Sequence, residues 1–266
     1  MKIALSMSGQ PRDLKECYPF IKKCLIDGND IDVYAHLWWD NSYKNQIVRF
    51  HTTNKFPDED CGHLFKDLYH PVTCSIEPQK DFDLTGWDLE NNFIDANQRK
   101  LFTAKVLFCS LSMWYSVEEA FNLSLAYGIQ YDLYIRARTD LIFMYPLDFN
   151  QFDPNILYIS DSYYGQQSPG DYTDWFAIGG LERMKDYVQL GHDFEKYNKN
   201  GLIPMRDFVK QSLNDRKVPH KLVELGCRLY RDYGPEKEYK SYKTDLENGD
   251  FKDWPYFTKN IMEQLK

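Results

Sequence analysis

The chain has 266 residues, 43% hydrophobic and 27% charged, a balance that suits a globular unit with a large core and excludes wholesale disorder. A formal net charge of −8 and a pI near 5.3 exclude a broad phosphate-backbone footprint, so no nucleic-acid partner is expected, whereas a local cationic pocket for one diphosphate is compatible with them. No run reaches the ~18 uninterrupted apolar residues of a membrane span, and KVLFCSLSMW, the nearest candidate, is too short, so no transmembrane segment is expected.

Lys2–Ser8 reads as a buried strand that breaks at Gly9, not as a signal peptide. Pro11 suits the first turn of a helix running to about Asp27 and closed by Gly28. Asp30–Trp38 alternates apolar and polar residues as a second strand, and Val72–Glu77 is a third. A long helical pattern spans about Asn97 to Tyr127 and ends at Gly128. Tyr131–Phe143 is the clearest strand, followed by short strands at Ile156–Ser160 and Trp175–Ile178, then a helix over about Glu182–Tyr197. This alternation predicts one domain over residues 1–266 with an open α/β sheet, whose ligands sit at the carboxyl ends of its strands. The six cysteines form no CxxC pair, and Cys61-Gly62-His63 has no second half, so a zinc site is not expected. Without a secretory signal they read as reduced thiols of a cytoplasmic protein. Twenty Tyr, seventeen Phe and six Trp could offer platforms to sugar rings, but most read as core and groove packing.

The candidate chemistry lies where strands end. Along the strand Tyr131–Phe143, a period of two puts Arg136, Arg138 and Asp140 on one face, opposite Leu133, Ile135, Ala137, Thr139 and Leu141. Two guanidinium groups and a carboxylate on a buried strand need compensation. They can form a mutual salt bridge, or the arginines can face a diphosphate while Asp140 holds a divalent cation. Ser8, Gly9, Gln10, Pro11 and Arg12 follow the first strand, where backbone N–H groups favour a phosphate or base edge, although by themselves they read more simply as an ordinary strand-to-helix turn. His36 and Trp38 end the second strand and share a face with Asp32 and Tyr34, from which they could stack on a base or ribose; a satisfied polar histidine is the alternative. Asn97 and Arg99 open the long helix as candidates for the same pocket. Asp174, with Asp171 second, follows a polar stretch beside the cleft and could take a proton from an attacking hydroxyl, or simply cap a turn. Arg228 and Arg231 could add phosphate contacts, and His192 and His220 could complete a metal site, without a motif behind any of them.

In order along the chain, Ser8-Gly9-Gln10-Pro11-Arg12, Asp32-Val33-Tyr34-Ala35-His36-Leu37-Trp38, Asn97-Gln98-Arg99, Arg136-Ala137-Arg138-Thr139-Asp140 and Asp174-Trp175-Phe176-Ala177-Ile178-Gly179 resemble a group of glycosyltransferases of bacterial surface-polysaccharide loci and large DNA viruses, akin to the WavE lipopolysaccharide-synthesis family. The resemblance covers about the first 190 residues. It implies a GT-A-like, Rossmann-like fold, with the nucleotide-sugar half at about residues 1–145 and the acceptor half at about 146–266. It also implies a nucleoside-diphosphate sugar as donor, a glycan hydroxyl as acceptor, and Mg²⁺ or Mn²⁺ held by an Asp-x-Asp element. Arg138-Thr139-Asp140 occupies that element, so its first acidic position is an arginine. Arg136 and Arg138 could instead neutralise the departing diphosphate. A sugar nucleotidyltransferase would share the architecture but normally carries a Gly-rich loop, and Ser8–Arg12 has one glycine. A non-catalytic glycan-binding protein would explain the aromatics alone.

Overall fold

The computed structural model describes residues 1–45, 56–88, 99–161, 172–199, 201, 203 and 205–229. Its strands are β1 (Lys2–Gly9), β2 (Asp30–Trp38), β3 (Thr73–Glu77), β4 (Leu133–Ala137), β5 (Leu141–Phe143), β6 (Leu157–Asp161), β7 (Tyr172–Gly179), β8 (His220–Val223) and β9 (Cys227–Leu229). Its α-helices are α1 (Leu14–Ile21), continued by a π-helical turn over Lys22–Ile26, α2 (Cys61–Tyr69), α3 (Arg99–Ala126), α4 (Leu181–Val188), α5 (Leu190–Asn198) and α6 (Met205–Asp215). Seven strands form one mixed sheet in the order β3-β2-β1-β4-β7-β6-β8, and β5 pairs with β9 in a separate two-stranded ribbon. The β1–β2, β2–β3, β1–β4 and β6–β8 pairs are parallel, whereas β7 runs antiparallel to both β4 and β6.

The period of two along the strands divides the core into two layers. Ile3, Leu5 and Met7 of β1 and Leu133, Ile135 and Ala137 of β4 face one side, where they pack with Cys17, Phe20 and Ile21 of α1 and Phe65 and Tyr69 of α2. Ala4, Tyr34, Tyr134 and Ala177 face the other, against Trp114, Val117 and Phe121 of α3, Tyr187 of α4, Phe194 of α5 and Phe208 of α6. Helices thus cover both faces, as parallel strands buried on both sides require. The expected α/β sheet flanked by helices is present, and no helix among the described residues is long and apolar enough to cross a membrane.

Several boundaries differ from the sequence expectation, each for a local reason. Helix α1 starts at Leu14, because Asp13 takes a left-handed conformation (φ 49°) and separates it from Pro11. The segment about Cys61 is a helix, α2, capped by the Asp60 carboxylate accepting from the His63 N–H at 3.0 Å. The helix expected over Glu182–Tyr197 is two helices that meet at Gln189. Gly191 then lies so close to α3 that a Cβ there would stand 2.9 Å from Cβ of Trp114. The expected strand Tyr131–Phe143 is also divided: β4 ends at Ala137 and β5 begins at Leu141 in the other sheet, paired with Leu229.

Candidate functional site

Strands β2 and β3 lie on one side of β1, and β4 lies on the other. The carboxyl ends of β1 and β4 therefore flank the point where the winding of the sheet reverses, the place where open α/β sheets form a crevice. Gly9 ends β1 with φ 110°, a conformation costly for any side-chain-bearing residue. The chain then doubles back tightly, with the Arg12 N–H donating to the Gln10 carbonyl at 2.9 Å. The Arg12 side chain folds over the same residue, its Nε donating to Gln10 Oε1 at 2.9 Å.

The turn after β4 meets this one. Thr139 Oγ1 donates to the Gln10 carbonyl at 2.9 Å and ties the two turns together. Arg138 forks onto Asp140, with Nε to Oδ1 at 2.7 Å and Nη2 to Oδ2 at 2.8 Å, and Arg12 Nη1 stands 3.9 Å from Oδ2. The Asp140 side chain is 2% exposed, whereas those of Arg12 and Arg138 are 18% and 17% exposed. A buried carboxylate thus lies beneath two guanidinium groups that reach the surface. A continuous strand would have stacked three charges against a core; the turn after Ala137 removes two of them from it.

Arg136 stays in the strand and does not join that pair. It is 2% exposed, opposite Ser6 of β1 and Ala177 of β7, and its Nη1 donates to the Trp175 carbonyl. Burial pulls its pKa below the ordinary arginine value, against the favourable charges of Tyr187, Asp174 and Asp140. Among the described residues Arg136 Nε, Ser6 Oγ, Ser8 Oγ and Tyr187 Oη are buried without a hydrogen-bond partner. Asp174, half-buried in β7, is therefore a counter-charge to Arg136 at the same sheet edge.

His36 and Trp38 are not the open platform that their strand position suggests. Each is 1% exposed beneath α3. Trp38 donates from Nε1 to the Ser112 carbonyl at 3.2 Å and stacks on Tyr115 with ring centroids 5.4 Å apart. His36 lies 2.8 Å from Ser116 Oγ through Nδ1 and 2.9 Å from Glu77 Oε1 through Nε2. Ser116 Oγ also accepts from the Gly9 N–H at 2.9 Å. In the neutral tautomer with Nε2–H donating to Glu77, Nδ1 is an acceptor facing Ser116, whose O–H is also within reach of the His36 carbonyl at 3.1 Å. Burial holds the His36 pKa down, although the Glu77 hydrogen bond opposes it. The histidine thereby braces the β1 turn from within. Thr139, Ser116 and Glu77 were not among the expected site residues. Ser116 and the other buried serines of α3, Ser110, Ser112 and Ser124, were the available signal, since small hydroxyls inside a helix-packing face need partners.

Arg99 is the first residue of α3, its side chain outside the described ones, and Asn97, Asp171 and Arg231 lie outside the described residues altogether. Arg228 is 4% exposed and bonds Glu224 at 3.0 Å and the Cys227 carbonyl at 2.7 Å. His192 bonds Glu118 and His220 bonds Tyr172, at 3.0 and 2.9 Å, so neither joins Asp140. Asp140 presents both oxygens to Arg138, and among the described residues no group of three or more His, Cys, Asp or Glu side chains could hold a metal ion. Among the described residues, the surroundings of Asp140 offer guanidinium groups and not the oxygen ligands of the divalent cation expected there. No protein-family model matches the chain, and no curated protein matches it either.

Proposed function

We propose that the chain is a glycosyltransferase of GT-A-like architecture that moves a sugar from a nucleoside-diphosphate donor to a glycan hydroxyl, in surface-polysaccharide or glycoprotein glycan synthesis. The observation that carries this reading is the Arg12–Asp140–Arg138 cluster at the carboxyl edge of β1 and β4. It supplies outward guanidinium groups where the sheet winding reverses, in a chain whose net charge is −8. Arg12 and Arg138 meet the phosphate oxygens, and the Gly9–Gln10 turn borders the nucleotide. The antiparallel β7 beside β4 brings Asp174 to the same edge. The motif resemblance to surface-polysaccharide glycosyltransferases points the same way.

The chemistry follows from these placements. An acceptor hydroxyl oxygen attacks the anomeric carbon as the bond from that carbon to the diphosphate oxygen breaks. Asp174 takes the hydroxyl proton, and the diphosphate leaves with the electron pair of the broken bond, its added negative charge stabilised by the cationic arginines. Arg136, buried behind them, helps to hold the Asp174 region in place through the Trp175 carbonyl.

A panel of UDP-, GDP- and dTDP-sugars tests the reading by thermal stabilisation and by release of the nucleoside diphosphate. At least one donor class is expected to stabilise the protein and to be hydrolysed slowly without an acceptor. Pyrophosphate release from a nucleoside triphosphate would assign a nucleotidyltransferase instead, and indifference to every nucleotide would leave only glycan binding.

A further inference from the structure

We propose that the anion site between β1 and β4 works without a divalent cation: Arg12 and Arg138 take the diphosphate, and Asp140 is a positioning residue that holds Arg138. This inference rests on the nucleotide-sugar reading above. Three observations carry it. Both Asp140 oxygens accept from one planar guanidinium, at 2.7 and 2.8 Å, which is the bidentate geometry of an arginine–carboxylate pair. The outward atoms belong to the arginines, because the Asp140 side chain is 2% exposed and theirs are 18% and 17% exposed. Finally, the turns are fastened to each other by the Thr139 bond to the Gln10 carbonyl, so both arginines stand on one preformed support.

A divalent cation at Asp140 would have to displace Arg138 from an oxygen and stand beside two positive charges. Magnesium also demands several oxygen ligands in near-ideal octahedral geometry. Among the described residues, the charged groups that bond or pair with Asp140 are guanidinium groups. Two guanidinium groups that reach the surface at one junction of turns instead suit an anion. A guanidinium has five N–H donors in a fixed fork and can serve a carboxylate and a phosphate together. Asp140 then determines where the Arg138 fork points, while Gln10 Oε1 holds Arg12, and this explains why an acidic residue stands next to a diphosphate at all.

Calorimetry of the full chain with UDP, GDP and dTDP, first in EDTA and then with Mn²⁺ or Mg²⁺, tests the proposal. At least one nucleotide is expected to bind in EDTA, with a dissociation constant that changes less than about threefold on adding either cation. Arg138→Lys keeps the charge but loses the fork and is expected to weaken binding in EDTA about tenfold. Asp140→Asn is expected to weaken it about as much, again in EDTA. Asp140 is buried, so if that variant fails to fold, the partly exposed Arg138→Lys carries the test. Binding that appears only with a cation overturns the metal-free site while leaving the nucleotide-sugar reading intact. So does a folded Asp140→Asn protein that binds as well as wild type in EDTA. Absence of binding under both conditions overturns the nucleotide-sugar reading, and this inference with it.

Discussion

Asp140 and Asp174 are carboxylates at the same sheet edge with opposite surroundings, and their roles separate accordingly. Asp140 is buried under Arg138, with Arg12 beyond, whereas Asp174 is half-buried and adds its negative charge to the buried Arg136. A base must reach the acceptor hydroxyl, and under the proposed function the half-buried Asp174 is the candidate for that task. A base acts on the attacking oxygen and not on the donor, so its loss should spare donor affinity. Asp174→Asn is expected to bind the nucleotide sugar within about twofold of wild type yet transfer at least ~100-fold more slowly, measured by calorimetry and initial rates. A variant that loses donor binding would assign Asp174 to the donor site, and one that transfers normally would remove the role. At this scale the sequence was informative about residue types and less so about directions. Arg136, Arg138 and Asp140 were legible as a charged cluster, but their common face assumed a strand that continues past Ala137. The Thr139 bond to Gln10 lies 129 positions along the chain, and no local pattern announces it.

Elements were most legible where periodicity was long or clean. Strand β2 occupies Asp30–Trp38 as expected, and the long helix α3 ends within a residue of its expected end. The β4–β5 break and the α4–α5 break were hidden because tertiary partners set them: Leu229 pairs with Leu141, and Trp114 takes Gly191 at close range. The same dependence explains His36, whose position at a strand end suggested a ligand contact. Helix α3 covers it, and Ser116 and Glu77 satisfy its two nitrogens. A consequence for pH follows. Burial depresses the folded-state pKa of His36 below its ordinary 6.5, even with Glu77 and Glu119 favouring the charged form and Lys80 opposing it. Between the folded value and 6.5 the unfolded chain binds more protons at this position, so the His36 contribution to stability rises with pH and is lost as pH falls. In urea unfolding, the stability advantage of wild type over His36→Gln is expected to shrink as pH drops from about 7.5 to about 5.5. An advantage that stays constant or grows would contradict a buried neutral histidine.

Across the whole molecule, the site is a product of strand order. The alternation of strands and helices made an open α/β sheet legible, and with it the carboxyl edge as the place to look. The order β3-β2-β1-β4-β7-β6-β8 was not legible, because pairing partners depend on contacts between segments far apart in sequence. That order sets Gly9–Arg12 beside Arg138–Asp140 across more than a hundred residues, and the antiparallel β7 adds Asp174 to the same edge. The proposed function depends on that convergence more than on any single residue. Hydrogen exchange with and without a saturating nucleoside-diphosphate sugar tests it most directly, because backbone amides report where a ligand sits. The account predicts slowed exchange in the two turns, residues 9–13 and 138–141, with little change in β8 or α6. Unchanged exchange in both turns with a bound nucleotide sugar, or protection confined to another part of the chain, would contradict it.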